Sequence, residues 1–236
     1  MNKIIHRAGT RGVVEHGWLS SRHTFSFAQY FNPERMGFGK LRVLNDDTIA
    51  AGTGFDTHAH ENMEIVTIPI KGALRHTDST GNEYVIGENE IQIMSAGTGI
   101  AHSEYNASDT AEAGFLQIWV LPDQLNINPR YEQKVLDPAQ QHNTLLTVVA
   151  PDRENNSLWI NQDAYFSIGD IDADRIVEYT LHRESNGLYV FIISGQIKID
   201  NETLNERDAA GITGGDTTSI QATQNTRLLV IEVPMQ

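Results

Sequence analysis

The 236-residue chain contains no cysteine. That excludes disulfides, thiolate zinc sites, iron–sulfur ligation and cysteine nucleophiles together, so any metal must be held by nitrogen and oxygen. Positive charge is scarce: 17 Lys and Arg stand against 31 Asp and Glu, a formal net charge of −14. Such a surface repels phosphate backbones and anionic lipid at long range. Direct nucleic-acid or membrane binding is therefore disfavoured, while protein partners stay open. Long apolar runs are missing as well. Leu188 to Ile193 is far too short to span a bilayer, and the opening MNKIIHRAGTRG lacks the apolar core of a signal peptide. A cytoplasmic location is the default expectation.

Helical periodicity is equally scarce. What is present instead is a rhythm of short runs rich in Val, Ile, Tyr and Thr, at residues 64–70, 82–87, 90–96, 115–121, 188–194 and 227–233, set between Gly, Asn and Asp clusters. Turn signals such as Ser79-Thr80-Gly81-Asn82, Asp200-Asn201 and Gly214-Gly215-Asp216 fall between the runs. This predicts an all-β, mainly antiparallel fold. The length suits two domains of similar size. The polar stretch from Pro122 to Asn143, with Pro129 and Pro138, reads as their connection. A faint internal repeat overlays the apolar stretch ending at Gly72 on the one ending at Gly195. The expected division is residues 1–122, a linker at 123–144, and residues 145–236.

The strongest chemical signal is Gly52-x5-His58-x-His60-x3-Glu64-x7-Gly72, followed by Gly97-x-Gly99-x2-His102-x-Glu104-x-Asn106. Residues at i and i+2 share a strand face, so His58 with His60, and His102 with Glu104, form two pairs that neighbouring strands can bring to one point. A lone histidine on a strand is ordinarily a hydrogen-bonded structural residue. Two ligand-type pairs in glycine frames shift the balance to a metal site. Three imidazoles and a carboxylate leave positions open on a five- or six-coordinate ion and suit one divalent Fe, Ni, Mn, Co or Cu per chain. Glu64 shares the parity of His58 and His60 if their strand continues unbroken, which makes it a rival fourth ligand or a group orienting an imidazole. His6, His16, His23, His76, His142 and His182 lack such partners and are expected to be surface or structural residues.

These residues resemble the cupin superfamily, and more closely the pirin family with its bacterial flavonol-cleaving members. The resemblance runs through Gly17-Trp18-Leu19, Thr24-Phe25-Ser26-Phe27, Tyr30-Phe31, Leu41 to Asp47, Gly54 to His60, and Met94 to Glu104. Ala59 stands where proline is common, and Asn89 where cupins favour glycine; neither removes a ligand. The resemblance implies a bicupin of two antiparallel β-barrel (jelly-roll) domains, with the metal on His58, His60, His102 and Glu104. The C-terminal half places Leu181, Arg183 and Ile220 where ligands would stand, so a metal-free second cupin is expected there. The implied activity is quercetin-type flavonol 2,3-dioxygenation. A small phenolic substrate and dioxygen react with loss of carbon monoxide, and Glu104 is the candidate base for the 3-hydroxyl proton. The rival reading is a pirin-like metal- or redox-sensing regulatory protein acting through protein partners.

Overall fold

The computed structural model describes residues 1–236. In the N-terminal half an antiparallel seven-stranded sheet runs, in spatial order, Arg130–Val135, Glu90–Ser95, Glu64–Lys71, Ala113–Val120, Leu41–Ile49, Leu19–His23 and Gly12–Glu15. A four-stranded sheet faces it, ordered Gly54–His60, Ile100–Asn106, Ala73–Asp78 and Glu83–Gly87. The C-terminal half repeats the plan with seven strands and four. Its single parallel pairing joins Leu146–Ala150 to Leu158–Trp159. Hydrogen bonding leaves the large and small sheets of each half separate, so the expected barrels are unclosed double sheets. No helix is long and apolar enough to cross a membrane.

Two segments fall outside the halves that the sequence suggested for them. Strand Asn2–His6 pairs with Ala209–Thr213, which ties the start of the chain into the C-terminal sheet. The segment expected as linker carries Arg130–Val135, an edge strand of the N-terminal sheet paired with Glu90–Ser95. Its only helix is the turn Pro138–Gln141, capped by the Asp137 carboxylate on the Ala139 amide.

Side-chain alternation decides how the halves meet. In the large N-terminal sheet Leu44, Val66, Ile68, Ile91, Ile93, Leu116 and Ile118 point one way, into a 26-residue core shared with Val149, Phe166, Tyr189, Phe191, Leu229 and Ile231 of the other half. Their neighbours Asn45, Asp47, Thr67, Gln92 and Gln117 point the opposite way, between the two N-terminal sheets, and they are polar and buried. The same rule in the C-terminal half sends Leu188, Val190, Ile192, Ile212, Leu228 and Val230 inward, where they join Ile220 in an apolar cluster of 14 residues. The second half is thus filled with hydrocarbon where the first is lined with polar groups.

A knob from the N-terminal half locks the two together. Phe38, only 5% exposed, lies over Gly187 and Gly211 of the C-terminal sheet. A methyl carbon added at Gly211 would stand 2.6 Å from the Phe38 ring, and one at Gly187 2.8 Å from it. Both glycines are there for close approach. Gly211→Ala should overpack this joint and lower stability by about 1–3 kcal/mol. A urea midpoint equal to that of the wild type would show that Phe38 is not wedged there.

Candidate metal centre

The central strand of the small N-terminal sheet, Ile100–Asn106, builds the site. Its register opposes His102 to His58 on one side and to Asp78 on the other, and Glu104 to His76. A bulge between His102 and Glu104 shifts the pairing so that Glu104 faces Phe55 and Tyr105 faces Gly54. Only glycine fits at Gly54, since an added Cβ would lie 2.3 Å from the Glu104 carbonyl oxygen. This close approach brings the two ligand-bearing strands together.

His58, His60 and His102 meet as the spacing predicted. Their ring centroids form a triangle of 4.5, 4.8 and 4.9 Å, and their nitrogens lie within 4.8 Å of one another. Glu104 joins through His102: its carboxylate, His102 and His76 form a second buried group on the same length scale. The Glu104 oxygens are already oriented. Oε1 accepts from Gln92 Nε2 at 3.0 Å and Thr67 Oγ1 at 3.3 Å, and Oε2 accepts from Gln117 Nε2 at 2.7 Å.

Hydrogen bonds assign the tautomers and thereby test the fit of a metal. His58 Nδ1 lies 2.8 Å from the Asp56 carbonyl oxygen. A carbonyl only accepts, so Nδ1 carries the proton and Nε2 keeps its lone pair. On the far side Asp78 accepts from His76 Nε2 at 3.1 Å, which turns the His76 Nδ1 lone pair toward His102 Nδ1, 3.5 Å away. His102 Nδ1 then donates, and its Nε2 is a lone pair in the site, buried with no protein partner. Two unprotonated imidazole nitrogens aimed at one point, each oriented by an oxygen or nitrogen behind it, are what a divalent transition metal needs.

Electrostatics agree. Burial, reinforced by the charge on His58, holds His60 down at about 4, and burial with the charges of His58, His60 and His76 holds His102 at about 2. Both imidazoles are neutral, the metal-binding form. Burial drives Glu104 the other way, up to about 7, against the pull of Thr67, Gln117 and Gln92. Asp47, hydrogen-bonded by Ser21, is likewise pushed up to about 7 by burial. The ligand cluster opens on a chamber of about 240 Å³ walled by Phe27, Phe55 and Trp119, with Asn45, Asp47 and Gln117 as its polar lining.

Glu64 is placed elsewhere. The strand breaks after His60, and Glu64 begins a strand of the other sheet. Its Oε2 accepts from Ser95 Oγ at 2.8 Å and from the Asn161 amide at 3.1 Å, facing the C-terminal half. His76 is the residue that the sequence reading passed over. It is fully buried, tilted against the Tyr131 ring, and sits behind His102. Its i+2 relation to Asp78 was the available signal. Of the remaining histidines, His6 is tied to the Tyr189 hydroxyl, and His182 to Glu232 and Glu154.

The fold and site have close relatives. Residues 6–120 match the family described as Pirin, and residues 147–233 match the quercetinase C-terminal cupin domain. A protein of Escherichia coli strain K12 named quercetin 2,3-dioxygenase is 39% identical over 230 residues, 98% of each chain. A pirin-like protein of Caulobacter vibrioides is 34% identical over 222 residues, covering 94% of this chain and 95% of that one. The crystal structure of bacterial pirin YhhW from Escherichia coli in complex with nickel(II) superposes with a TM-score of 0.94 at 37% identity, covering 99% of both chains.

Two outcomes follow for metal binding. Replacing His76 by Phe removes the acceptor behind His102 and should weaken metal affinity about 10- to 100-fold with the β-fold retained, measured by competition with a chelator and by circular dichroism. Unchanged affinity would leave His76 a packing residue. Metal ligands must be deprotonated to bind, and Glu104 holds its proton up to about 7 while His60 loses its own near 4. Affinity should therefore rise with pH from about 5 to 7, and Glu104→Gln should flatten that slope by up to one proton. An identical slope in the variant would remove Glu104 from the metal's coordination.

Proposed function

This chain belongs to the pirin family of two-domain cupins, and we propose that it is a metal-dependent flavonol 2,3-dioxygenase with one divalent metal held by His58, His60, His102 and Glu104. The observation that carries this reading is the buried, unpartnered Nε2 of His102 clustered with His58 and His60, two residues that line an aromatic-walled chamber. When bound, the metal supplies a Lewis acid that acidifies a coordinating hydroxyl and, for a redox-active ion, a centre for dioxygen chemistry.

The chain's own groups do the rest. Phe27, Phe55 and Trp119 offer apolar faces to a planar ring and exclude water. Phe27 and Trp119 meet edge to face at 5.2 Å, and Trp119 meets His60 at 4.9 Å, so this wall is fixed against the ligand cluster. Asn45 Oδ1, buried without a partner, is an acceptor for a substrate hydroxyl. Glu104 takes the 3-hydroxyl proton. A base titrating near the working pH is well matched to that transfer, and burial raises Glu104 to about 7. The donors Thr67, Gln92 and Gln117 hold its carboxylate in one orientation as the charge changes. The names of the Escherichia coli relatives, one a quercetin 2,3-dioxygenase and one a pirin that binds nickel(II), support the same reading.

The test is quercetin bleaching with oxygen uptake and carbon monoxide release, using protein loaded in turn with Fe, Ni, Mn, Co and Cu. Glu104→Gln at full metal loading should lower kcat about 10²- to 10⁴-fold with little change in flavonol binding. If no loaded form consumes oxygen or releases carbon monoxide, the dioxygenase reading fails and a pirin-like regulatory role through protein partners takes its place.

A further inference from the structure

The chamber at the ligand cluster is small, about 240 Å³, just below the roughly 300–1,000 Å³ of ordinary small-molecule pockets. A fused hydroxylated bicycle sits within it, and a pendant aryl ring on that bicycle would reach toward whatever space adjoins it. Immediately outside lies a cleft of about 480 Å³, lined by Trp18, Phe55, Asp56, His58 and Tyr105 among others. Phe55 and His58 line both spaces, so the two adjoin each other.

We infer that this outer cleft is a second subsite of the same active centre, which takes a neutral, hydroxylated aryl substituent of the substrate against Trp18 while the fused ring occupies the inner chamber. The inference rests on the flavonol reading above and deepens it by naming what selects the substrate: 2-aryl-3-hydroxychromones over the unsubstituted bicycle. Three features of the cleft support it. The Trp18 and Phe55 rings meet edge to face at 5.1 Å and 78°, leaving aromatic surface for a third ring. Both are partly buried against the small core of Leu19, Ile49, Leu74, Ala113 and Phe115, so this wall is anchored before a ligand arrives. The rim is polar and acidic: Tyr105 donates its hydroxyl to the Asp56 carboxylate, which retains acceptor capacity for a phenolic hydroxyl and repels an anionic substituent.

The sequence carries the device in two places far apart. Trp18 precedes strand Leu19–His23, and its carbonyl accepts from the Ala50 amide at 2.8 Å, which fixes it at the end of strand Leu41–Ile49, where its ring meets Phe55. Phe55 in turn lies at the bulge that sets Glu104 in register. One of the two residues shared by these spaces is therefore positioned by the same irregularity that positions the proposed base.

The experiment compares quercetin with 3-hydroxychromone, which keeps the reacting ring and lacks the aryl group, on metal-loaded protein. Binding is measured anaerobically by fluorescence titration and turnover in air. Trp18→Ala should lower the quercetin to 3-hydroxychromone ratio of kcat/KM, and of binding constants, about tenfold, as expected for one lost aromatic contact with its buried area. The loss should appear in KM rather than kcat, and Trp18→Phe should restore most of it. Equal effects on the two ligands, or none, would overturn the subsite while leaving flavonol cleavage intact. Aryl-selective binding that depends on Trp18 without any turnover would support the subsite and sink the dioxygenase reading. Failure of the wild type to bind quercetin would overturn both.

Discussion

Everything at the metal centre depends on the alternation of side chains in one seven-stranded sheet. Consecutive residues of a strand face opposite ways, and here each face has its own task. Val66, Ile68, Ile91, Ile93, Leu116 and Ile118 bury themselves against the C-terminal sheet, while Thr67, Gln92 and Gln117, between them in sequence, converge on Glu104. A single-residue slip in any of these strands would put amides into the hydrocarbon core and aliphatic groups against the carboxylate. The apolar core therefore specifies the polar chamber. Packing that buries the most area also selects the register in which a fully buried glutamate finds three donors.

Burial then sets the chemistry. A chamber backed by two sheets strips water from His60, His102, Glu104 and Asp47, and the direction of each shift follows from the sign of the charge disfavoured. His60 and His102 are held neutral, the form a metal takes; Glu104 and Asp47 are pushed toward their protonated forms. Neutral imidazoles and a proton-holding carboxylate thus arise from one cause acting on two residue types. Asp78 is the exception that keeps the arrangement directional. Burial would raise it, but hydrogen bonds from Thr80, Asn82 and His76 outweigh burial and hold it at about 2. An ionised Asp78 fixes the proton on His76 Nε2, which fixes the tautomer of His102.

What was legible in the sequence was local. The i, i+2 geometry that makes His58 and His60 one pair, and His102 and Glu104 another, needs no tertiary information, and strand Ile100–Asn106 shows it directly. The alternation of apolar runs likewise announced an all-β, mainly antiparallel chain. Non-local facts were not legible. His76 looked like an isolated histidine because its partners, His102 and Glu104, lie on the paired strand more than twenty residues away. Glu64 looked like a ligand because the break at Glu61 to Met63, which carries it into another sheet, has no proline and only one residue of positive φ, Asn62, to announce it. The edge strand Arg130–Val135 hid in polar composition: its residues are mostly half-buried with no in-out alternation, and Glu90–Ser95 is its one strand partner. The socket for Phe38 is two glycines whose meaning appears only when the halves dock.

The C-terminal half shows why a domain without ligands still matters to the centre. Its interior is closed by aliphatic side chains, and its most deeply buried carboxylate, Glu232, is consumed by donors from Tyr179, His182, Arg183 and Asn186. Its contribution is made from outside the chamber. Asp46 faces the interface and accepts from Arg11 at 3.2 Å, with Arg207 of the C-terminal half 3.4 Å away. The next residue, Asp47, faces the chamber. Because adjacent residues on a strand cannot move independently, the ion pairs at Asp46 and the core at Leu44 hold the chamber wall from behind. Without that backing the seven-stranded sheet would expose its apolar face to water, and the burial that keeps the imidazoles neutral would be lost with it. The second cupin is the dry side of the first one's polar chamber.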